Sequence, residues 1–309
     1  MKQIYISTTS FGENSSDPIK MLEDCKYEIK YNELSRKLSE IELIKFAGCA
    51  TGIIAGTETY SKEVLNKLSS LKVISRLGVG MDNVNLKITG EKGIKVFKTN
   101  SNPAQAVAEL TLGLIIDVSR GISLQNNNMK NGTWDKKTGN ILEGKTLGII
   151  GLGEIGKTLV NLVTGLNLKI LAFDIKHDDK YVKGNRVIYC GINEILRKSD
   201  IVSLHLNLTN NTRHLMNEQR INFMKPGSIL INTSRGEIID EEALYVVLKN
   251  KKLLGAGLDV YNNEPYSGPL TKLENVVLTP HIGSYAKEIR TQMEIEAAEN
   301  LIKGLNEAK

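Results

Sequence analysis

Short apolar segments with the composition of strands alternate with segments of helical periodicity along most of the chain. The segments that predict strands are residues 1–7, 52–55, 72–75, 146–150, 170–173, 201–204, 229–231, 257–260 and 275–278. Such alternation predicts parallel sheets whose strands are joined by helical crossovers, and nearly continuous apolar strands indicate sheets covered on both faces. The predicted fold class is therefore α/β.

Two long helices are predicted in addition to the short crossovers. The first spans residues 103–126, because Pro103 suits the first helical position and Ser101 or Asn102 can cap it. Its broad apolar face consists of Val107, Leu110, Leu114, Ile115 and Val118. Burial on several sides, contact with a second subunit and an ordinary core position would each account for such a face. The second helix spans residues 285–305, and its apolar stripe consists of Ala286, Ile289, Met293, Ala297 and Leu301.

Composition places the chain among ordinary globular proteins. It has 309 residues, 41% hydrophobic and 24% charged, which predicts two domains with a core each. No apolar stretch approaches the ~20 residues of a membrane span, and the N-terminus lacks the apolar region of a signal peptide. Cys25, Cys49 and Cys190 are widely spaced, so neither a disulfide framework nor a metal site is expected. We therefore expect a cytoplasmic protein without a bound metal.

The net charge of +5 is spread along the chain rather than concentrated in one segment. The densest basic segment, residues 249–252, is short and has no interleaved aromatic residues, which argues against nucleic-acid binding. A small anionic substrate is compatible with this charge.

A glycine-rich segment carries the strongest chemical signal. The sequence GLGEIG at residues 151–156 follows a predicted strand and opens a helical segment, a context typical of dinucleotide binding. Gly151 allows the tight turn, Gly153 lets the backbone approach a pyrophosphate, and Gly156 lets helix and strand pack closely. The helix N-terminus attracts the phosphates. Asp174 ends the next strand at about the ~20-residue distance expected of the acid that binds the adenosine ribose, which favours NAD over NADP. A glycine-rich turn without a ligand is the alternative.

Three polar residues further along the chain stand where predicted strands meet loops. They are Arg235, Glu264 and His281. Ligands of open α/β sheets bind beyond the carboxyl ends of the strands, so these loops could converge on one crevice. Taken singly, each of the three residues is more often a surface ion-pair or capping residue than a catalytic one.

From about residue 52 to residue 284 the chain resembles the D-isomer-specific 2-hydroxyacid dehydrogenases. The resemblance is strongest to their phosphoglycerate-dehydrogenase-like branch, in its short form without a C-terminal regulatory domain. It rests on blocks in one order, namely RLGVGMDNV (76–84), NPAQAVAELT (102–111), LEGKTLGIIG (142–151), MKPGS (224–228), NTSRGEIID (232–240), AGLDV (256–260) and TPHIGS (279–284).

The family resemblance implies two doubly wound parallel-sheet domains. A Rossmann NAD-binding domain, residues 101–284, is inserted in a flavodoxin-like substrate-binding domain made of residues 1–100 and 285–309. The resemblance also implies a cleft between the domains that closes to exclude water, and a homodimer formed through the NAD-binding domain.

The resemblance assigns catalysis to Arg235, Glu264 and His281. An imidazole can accept the hydroxyl proton of a 2-hydroxy acid and return it in the reverse reaction. A carboxylate beside the imidazole stabilises its charged form and fixes its tautomer. A guanidinium binds the substrate carboxylate through two parallel hydrogen bonds.

Further residues follow from the resemblance alone. Those expected to bind the cofactor are Gly151, Gly153, Glu154, Ile155, Gly156, Asp174, Leu206, Thr233, Ser234, Arg235, Asp259, His281, Gly283 and Ser284. Asp259 is expected to hold the nicotinamide carboxamide, with a strand-end cap as the alternative. Those expected to bind the substrate are Arg76, Val79, Gly80, Arg235 and His281, and backbone N–H groups at residues 79–80 would hold the carboxylate.

The substrate pair expected first is D-3-phosphoglycerate and 3-phosphohydroxypyruvate, as in serine biosynthesis. Glyoxylate, hydroxypyruvate or another D-2-hydroxy acid is the alternative, and an NAD-sensing corepressor-like binding protein is the alternative of another class. Ala55 stands where phosphoglycerate dehydrogenases can have a phosphate-binding arginine. Arg76 or a lysine would have to bind the phosphate in its place. Glu58 would repel a phosphate if it faced the substrate. Asn207 replaces a proline frequent in the family, with a local effect expected.

Overall fold

The computed structural model describes residues 2–308 of the chain. The chain divides into two compact units. Unit 1 runs up to Asn102 and includes the segment from Tyr285 onward, and unit 2 is Pro103–Ser284. Each unit is built on one parallel sheet with helices on both faces, which confirms the predicted α/β fold class.

Unit 1 contains a five-stranded sheet in the order β2-β1-β3-β4-β5, the order of flavodoxin-like folds. All its strand pairs are parallel. Its elements are β1 Gln3–Ile6, α1 Asp17–Glu23, β2 Glu28–Tyr31, α2 Glu40–Ala47, β3 Ala50–Ala55, α3 Lys62–Lys67, β4 Val73–Arg76, α4 Leu86–Glu91, β5 Lys95–Lys98 and, from the C-terminal segment, α12 Lys287–Glu307.

Helix α12 covers one face of the unit 1 sheet. Met293, Ala297 and Leu301 of its predicted stripe are all buried, and a Cβ at Gly52 of β3 would lie 2.9 Å from the Leu301 side chain. The close approach of strand and helix explains the glycine at this position of the strand.

The same helix also buries a charged pair that its apolar stripe does not predict. Arg290 and Glu294 are 4% and 0% exposed, and Arg290 Nε donates to Glu294 Oε1 at 2.8 Å. The guanidinium further donates to the hydroxyls of Thr8 and Ser10, and the carboxylate accepts the N–H of Gly12. These bonds satisfy both buried charges and tie the loop after β1 to α12.

Unit 2 contains a seven-stranded sheet in the order β12-β11-β10-β9-β6-β7-β8, again parallel throughout. Its elements are α5 Ala104–Arg120, α6 Ile122–Lys130, β6 Thr146–Ile150, α7 Glu154–Val163, β7 Lys169–Phe173, α8 Asp179–Gly184, β8 Val187–Tyr189, α9 Ile192–Lys198, β9 Ile201–Leu204, α10 Glu218–Phe223, β10 Ile229–Asn232, α11 Glu241–Lys249, β11 Gly255–Leu258 and β12 Val276–Leu278, with 3₁₀ turns at Thr164–Leu166, Gly236–Ile238 and Pro269–Lys272.

The helix predicted over residues 103–126 is two helices, so this prediction was wrong in its extent. Helix α5 ends at Arg120, Gly121 has a φ of +61° and α6 begins at Ile122. A left-handed residue stops the helical hydrogen bonding, and glycine adopts that conformation without a Cβ clash. The broad apolar face of α5 packs against α7 and against strands β10, β11 and β12 of its own unit.

Three strands were not predicted, namely β2, β5 and β8. All three are edge strands of their sheets. Within the described residues 2–308, no helix is long and apolar enough to cross a membrane.

Candidate active site

The order of strands in unit 2 reverses between β6 and β9, and ligands of open α/β sheets bind beyond the carboxyl ends of the strands at such a reversal. Gly151 follows β6, while His205 and Leu206 follow β9. Gly151 has a φ of +101°, and a Cβ there would lie 2.2 Å from the His205 carbonyl oxygen. Only glycine fits this turn, as the sequence motif predicts.

The two other motif glycines serve different purposes. A Cβ at Gly156 would lie 2.4 Å from the Gly151 carbonyl oxygen, so this glycine lets α7 pack against the end of β6. A Cβ at Gly153 would meet no atom of the described residues within 4 Å. The side of the turn in front of α7, at Glu154 and Ile155, is thus open to a ligand, and the N–H groups of the first helical turn are suited to phosphate oxygens.

Asp174 lies beside the glycine turn at the end of β7. Its carboxylate accepts the N–H of Leu152 at 2.7 Å and the N–H of Lys176 at 2.9 Å. These bonds fix the carboxylate next to the turn while leaving it lone pairs for further donors. The glycine turn, the start of α7 and this carboxylate form a donor and acceptor set that fits a dinucleotide with ribose hydroxyl groups.

His281 and Glu264 form a close pair in unit 2. The Nδ1 atom of His281 lies 2.9 and 3.0 Å from the two carboxylate oxygens of Glu264. Because a carboxylate only accepts hydrogen bonds, this contact assigns the proton to Nδ1 and leaves Nε2 as the atom for proton exchange with a ligand. Glu264 Oε1 also lies 3.2 Å from the N–H of Tyr261, which donates to it.

Asp259 holds the backbone around His281, which has a φ of +56°. The Asp259 carboxylate accepts the Thr279 hydroxyl at 2.6 Å and the N–H groups of Ile282 and Gly283 at 2.8 Å each. Asp259 is 1% exposed, and burial raises the pKa of its carboxyl group. The three hydrogen bonds that Asp259 accepts stabilise the strained backbone conformation of His281. The nicotinamide contact of Asp259 stays a prediction.

The loop that bears Arg235 is folded by a buried amide that sequence reasoning did not single out. Asn232, 0% exposed, donates to the Arg235 carbonyl oxygen and accepts both the N–H and the hydroxyl of Ser234. Gly236, which follows Arg235, packs directly against the backbone of the next loop. A Cβ at Gly236 would lie 1.9 Å from the carbonyl carbon of Tyr261. The loops of Arg235 and Glu264 are thus in direct contact.

Other predicted site residues lie around the same strand ends. The hydroxyl of Thr233 lies 2.9 Å from that of Thr111 in α5, a contact that links the Arg235 loop to the helix. Thr233 and Ser234 are each 8% exposed. Gly283 and Ser284 follow His281 and are the last two residues of unit 2.

The predicted substrate residues Arg76, Val79 and Gly80 belong to unit 1. Arg76 ends β4, and its guanidinium donates to the Leu77 carbonyl oxygen; Val79 is exposed. Glu58, predicted to repel a phosphate only if it faced the substrate, is 2% exposed, and its Oε2 accepts the Ser7 hydroxyl at 2.8 Å and the Gly56 N–H at 3.0 Å. Its carboxylate is therefore buried and hydrogen-bonded within unit 1.

In the part of the chain that the structure covers, no group of three or more His, Cys, Asp or Glu side chains is placed to hold a metal ion.

Known proteins resemble this chain in sequence and in fold. Residues 112–283 match the family model described as the NAD binding domain of D-isomer specific 2-hydroxyacid dehydrogenases. The chain is 35% identical to a hydroxypyruvate reductase of Thermotoga maritima over 92% of this chain and 91% of that protein. It is 42% identical to a glyoxylate reductase of Thermofilum pendens over 80% of this chain and 75% of that protein. A phosphoglycerate oxidoreductase of Vibrio cholerae has a similar structure, with a TM-score of 0.89 and 27% identity over 99% of both chains.

The chain belongs to the D-isomer specific 2-hydroxyacid dehydrogenase family. It is an NAD-dependent oxidoreductase of small 2-hydroxy and 2-keto acids, which confirms the predicted family and cofactor.

Proposed function

We propose that this enzyme interconverts D-3-phosphoglycerate and 3-phosphohydroxypyruvate, with Arg235, Glu264 and His281 as its catalytic residues. The contact of His281 Nδ1 with the Glu264 carboxylate carries the catalytic assignment. NADH, when bound, supplies the hydride that reduces the carbonyl carbon of the keto acid. His281 donates the accompanying proton from Nε2, and Glu264 stabilises the imidazolium. Arg235 binds the substrate carboxylate and polarises the carbonyl group beside it.

We further propose how the two ends of the ligands are held. The glycine turn at 151–156 binds the pyrophosphate, and Asp174 binds the adenosine ribose. Leu206 contacts the adenosine side, and Asp259 holds the carboxamide. The N–H groups at residues 79–80 bind the substrate carboxylate. In this proposal residues 101–284 form the NAD-binding domain, and residues 1–100 with 285–309 form the substrate-binding domain.

One observation removes an objection to a phosphorylated substrate, and a second one supports such a substrate. The inward carboxylate of Glu58, hydrogen-bonded by Ser7 and Gly56, presents little charge to a phosphate. The chain also resembles the Vibrio cholerae phosphoglycerate oxidoreductase over nearly its whole length. Arg76 is the cation that we propose to take the place of the arginine replaced by Ala55.

Reduction of hydroxypyruvate or glyoxylate is the second candidate, and Ala55 is the observation that favours it. A small apolar side chain at this position offers no charge to a phosphate. The relatives from Thermotoga maritima and Thermofilum pendens carry the names of these activities.

The test is NADH oxidation by the purified protein with 3-phosphohydroxypyruvate, hydroxypyruvate, glyoxylate and pyruvate. We expect the highest kcat/KM with 3-phosphohydroxypyruvate, and a loss of that preference in Arg76→Gln. A higher kcat/KM with an unphosphorylated acid would establish the second candidate.

His281→Ala should lower kcat by about 100-fold or more while NADH still binds, since only the proton donor is removed. NADH binding without turnover of any acid would point instead to a corepressor-like role.

We also propose a homodimer formed through unit 2. No residue of α6 is buried, and the following residues 131–145 contain neither helix nor strand. Trp134 and Ile141 in that segment are 77% and 68% exposed, and Met129 of α6 is also exposed. Several large apolar side chains exposed in one short segment are typical of a protein interface.

A further inference from the structure

The loop that bears Arg235 and the turn that bears Glu264 are joined by a second contact, in addition to the packing of Gly236 against Tyr261. Glu241 is the first residue of α11, which follows the Arg235 loop, and it is partly buried. Its Oε1 accepts the backbone N–H of Asn262 at 2.6 Å. Asn262 lies in the turn between Tyr261, whose N–H donates to Glu264, and Glu264 itself. Glu241 is therefore bonded directly to the turn that carries the Glu264 carboxylate.

We propose that Glu241 is a positioning residue of the active site, which holds the 261–264 turn so that the Glu264 carboxylate meets His281 Nδ1. This inference rests on the proposed function, because it assigns Glu241 an effect on the step carried by Glu264 and His281.

The start of α11 does not require Glu241 as a cap. Asp240 is the N-cap of this helix, and its carboxylate accepts the N–H of Ala243 at 3.1 Å. The next residue, Glu242, is exposed and offers the same charge to the helix dipole. The bond to Asn262 is thus a separate use of the Glu241 side chain.

The surroundings indicate that Glu241 is needed as an acceptor rather than as a charge. Burial raises the pKa of Glu241, and the negative charges of Glu237 and Glu264 act in the same direction. A neutral side chain of the same length would keep the bond to the Asn262 N–H without this repulsion. Glutamine at position 241 should therefore substitute for glutamate, whereas aspartate, one methylene shorter, should not reach.

The experiment measures kcat and KM for reduction of the preferred keto acid in Glu241→Ala, Glu241→Asp and Glu241→Gln. We expect kcat to fall about 10-fold in the first two variants, with KM and NADH binding within about 2-fold of wild type, because a displaced Glu264 affects the proton-transfer step. Glu241→Gln should recover most of the lost kcat. A normal kcat in Glu241→Asp, or a kcat in Glu241→Gln as low as in Glu241→Ala, would overturn the proposal.

A double-mutant cycle separates positioning of Glu264 from a general loss of structure. In the Glu264→Gln background, adding Glu241→Ala should lower kcat by less than about 2-fold, because the carboxylate that Glu241 positions is already gone. An undiminished 10-fold effect there would contradict the proposal. Glu242→Ala is the matched control and should leave kcat unchanged. If the wild-type enzyme reduces no keto acid, the proposed function fails; if it does and the Glu241 variants match it, only this inference fails.

Discussion

The two carboxylates next to His281 have different tasks, although both come from the same stretch of chain after β11. Glu264 bonds the imidazole itself, and Asp259 bonds the backbone of the loop on which the imidazole stands. A residue with a φ of +56° costs conformational energy, which the three donors gathered by Asp259 offset. The direction of the His281 side chain is thus set by its loop before a ligand binds.

Asp174→Ala tests the choice of cofactor. The carboxylate next to the glycine turn would accept ribose hydroxyls and repel a 2′-phosphate. We expect the ratio of kcat/KM for NADH over NADPH to fall by about 10-fold or more, since one good charge-assisted bond corresponds to that factor. Asp179→Ala, an exposed acid a few residues further on, is the control. An unchanged ratio would remove Asp174 from the ribose site.

We expect His205 to make the free energy of unfolding depend on pH below neutrality. Its Nε2 lies 2.9 Å from the Ser203 hydroxyl, and burial lowers the pKa of the imidazole to about 4 from an ordinary value of 6.5. Between these values the unfolded chain binds the proton and the folded chain does not, so stability falls as the pH drops from 6.5 towards 4.

The check is urea unfolding of wild type and His205→Gln at pH 7.5, 6, 5 and 4.5. The stability of wild type relative to the variant should fall by up to about 1.4 kcal/mol per pH unit below pH 6.5. Parallel curves for the two proteins across this range would show that His205 does not carry the effect.

At the scale of elements, the junction of β6 and α7 depends on two glycines, each required for a different physical reason. Gly151 is required by its backbone conformation and by the strand end beside it, and Gly156 by the approach of α7 to the turn. The first shapes the turn, and the second brings the helix N-terminus to it. Losing either should separate the phosphate-binding N–H groups from the strand that positions them.

Gly156→Ala tests this junction. The added methyl group would lie 2.4 Å from the Gly151 carbonyl oxygen, so the helix must shift. We expect a loss of about 1–3 kcal/mol in unfolding free energy and weaker NADH binding. Gly184→Ala is the control, because a Cβ there meets no atom of the described chain within 4 Å. Wild-type stability together with wild-type NADH affinity in Gly156→Ala would contradict the packing argument.

The strands that the sequence pattern missed are also a matter of elements. Strands β2 and β5 have no buried residue, and β8 has one, whereas all four residues of β9, in the sheet interior, are buried. These three edge strands have one paired side and partial cover, so they lack the continuous apolar run of a central parallel strand; the fourth edge strand, β12, keeps such a run and was predicted.

At the scale of the whole molecule, the proposed homodimer predicts a mass near twice the 34.2 kDa of one chain. Light scattering coupled to size exclusion measures this mass directly. Replacing Trp134 and Ile141 by aspartate should give monomers, because two exposed apolar side chains of the interface become charged. Ile188→Asp, an exposed position on β8 of the same unit, should leave the dimer intact. A wild-type monomer would refute the dimer.

The sequence by itself determined the features that rest on local chemistry. Alternating apolar strands and helices predicted the parallel sheets, and the glycines at 151–156 with Asp174 predicted the NAD site. The fold class and the cofactor are confirmed, because a buried parallel strand must be apolar and a tight turn beside a phosphate excludes a Cβ, whereas the individual NAD-binding residues stay predictions. The blocks shared with the family then supplied the three proposed catalytic residues.

Only the tertiary structure decided where the buried polar groups find their partners. The bonds from Ser7 to Glu58, from Arg290 to Thr8 and Ser10, and from Asn262 to Glu241 all join residues whose pairing no local periodicity reveals. A buried charge or amide persists only where the fold brings it a partner, and that partner can come from any part of the chain. Sequence pattern predicts which residues are apolar enough to form the core, whereas three-dimensional packing decides which polar residues the core can hold.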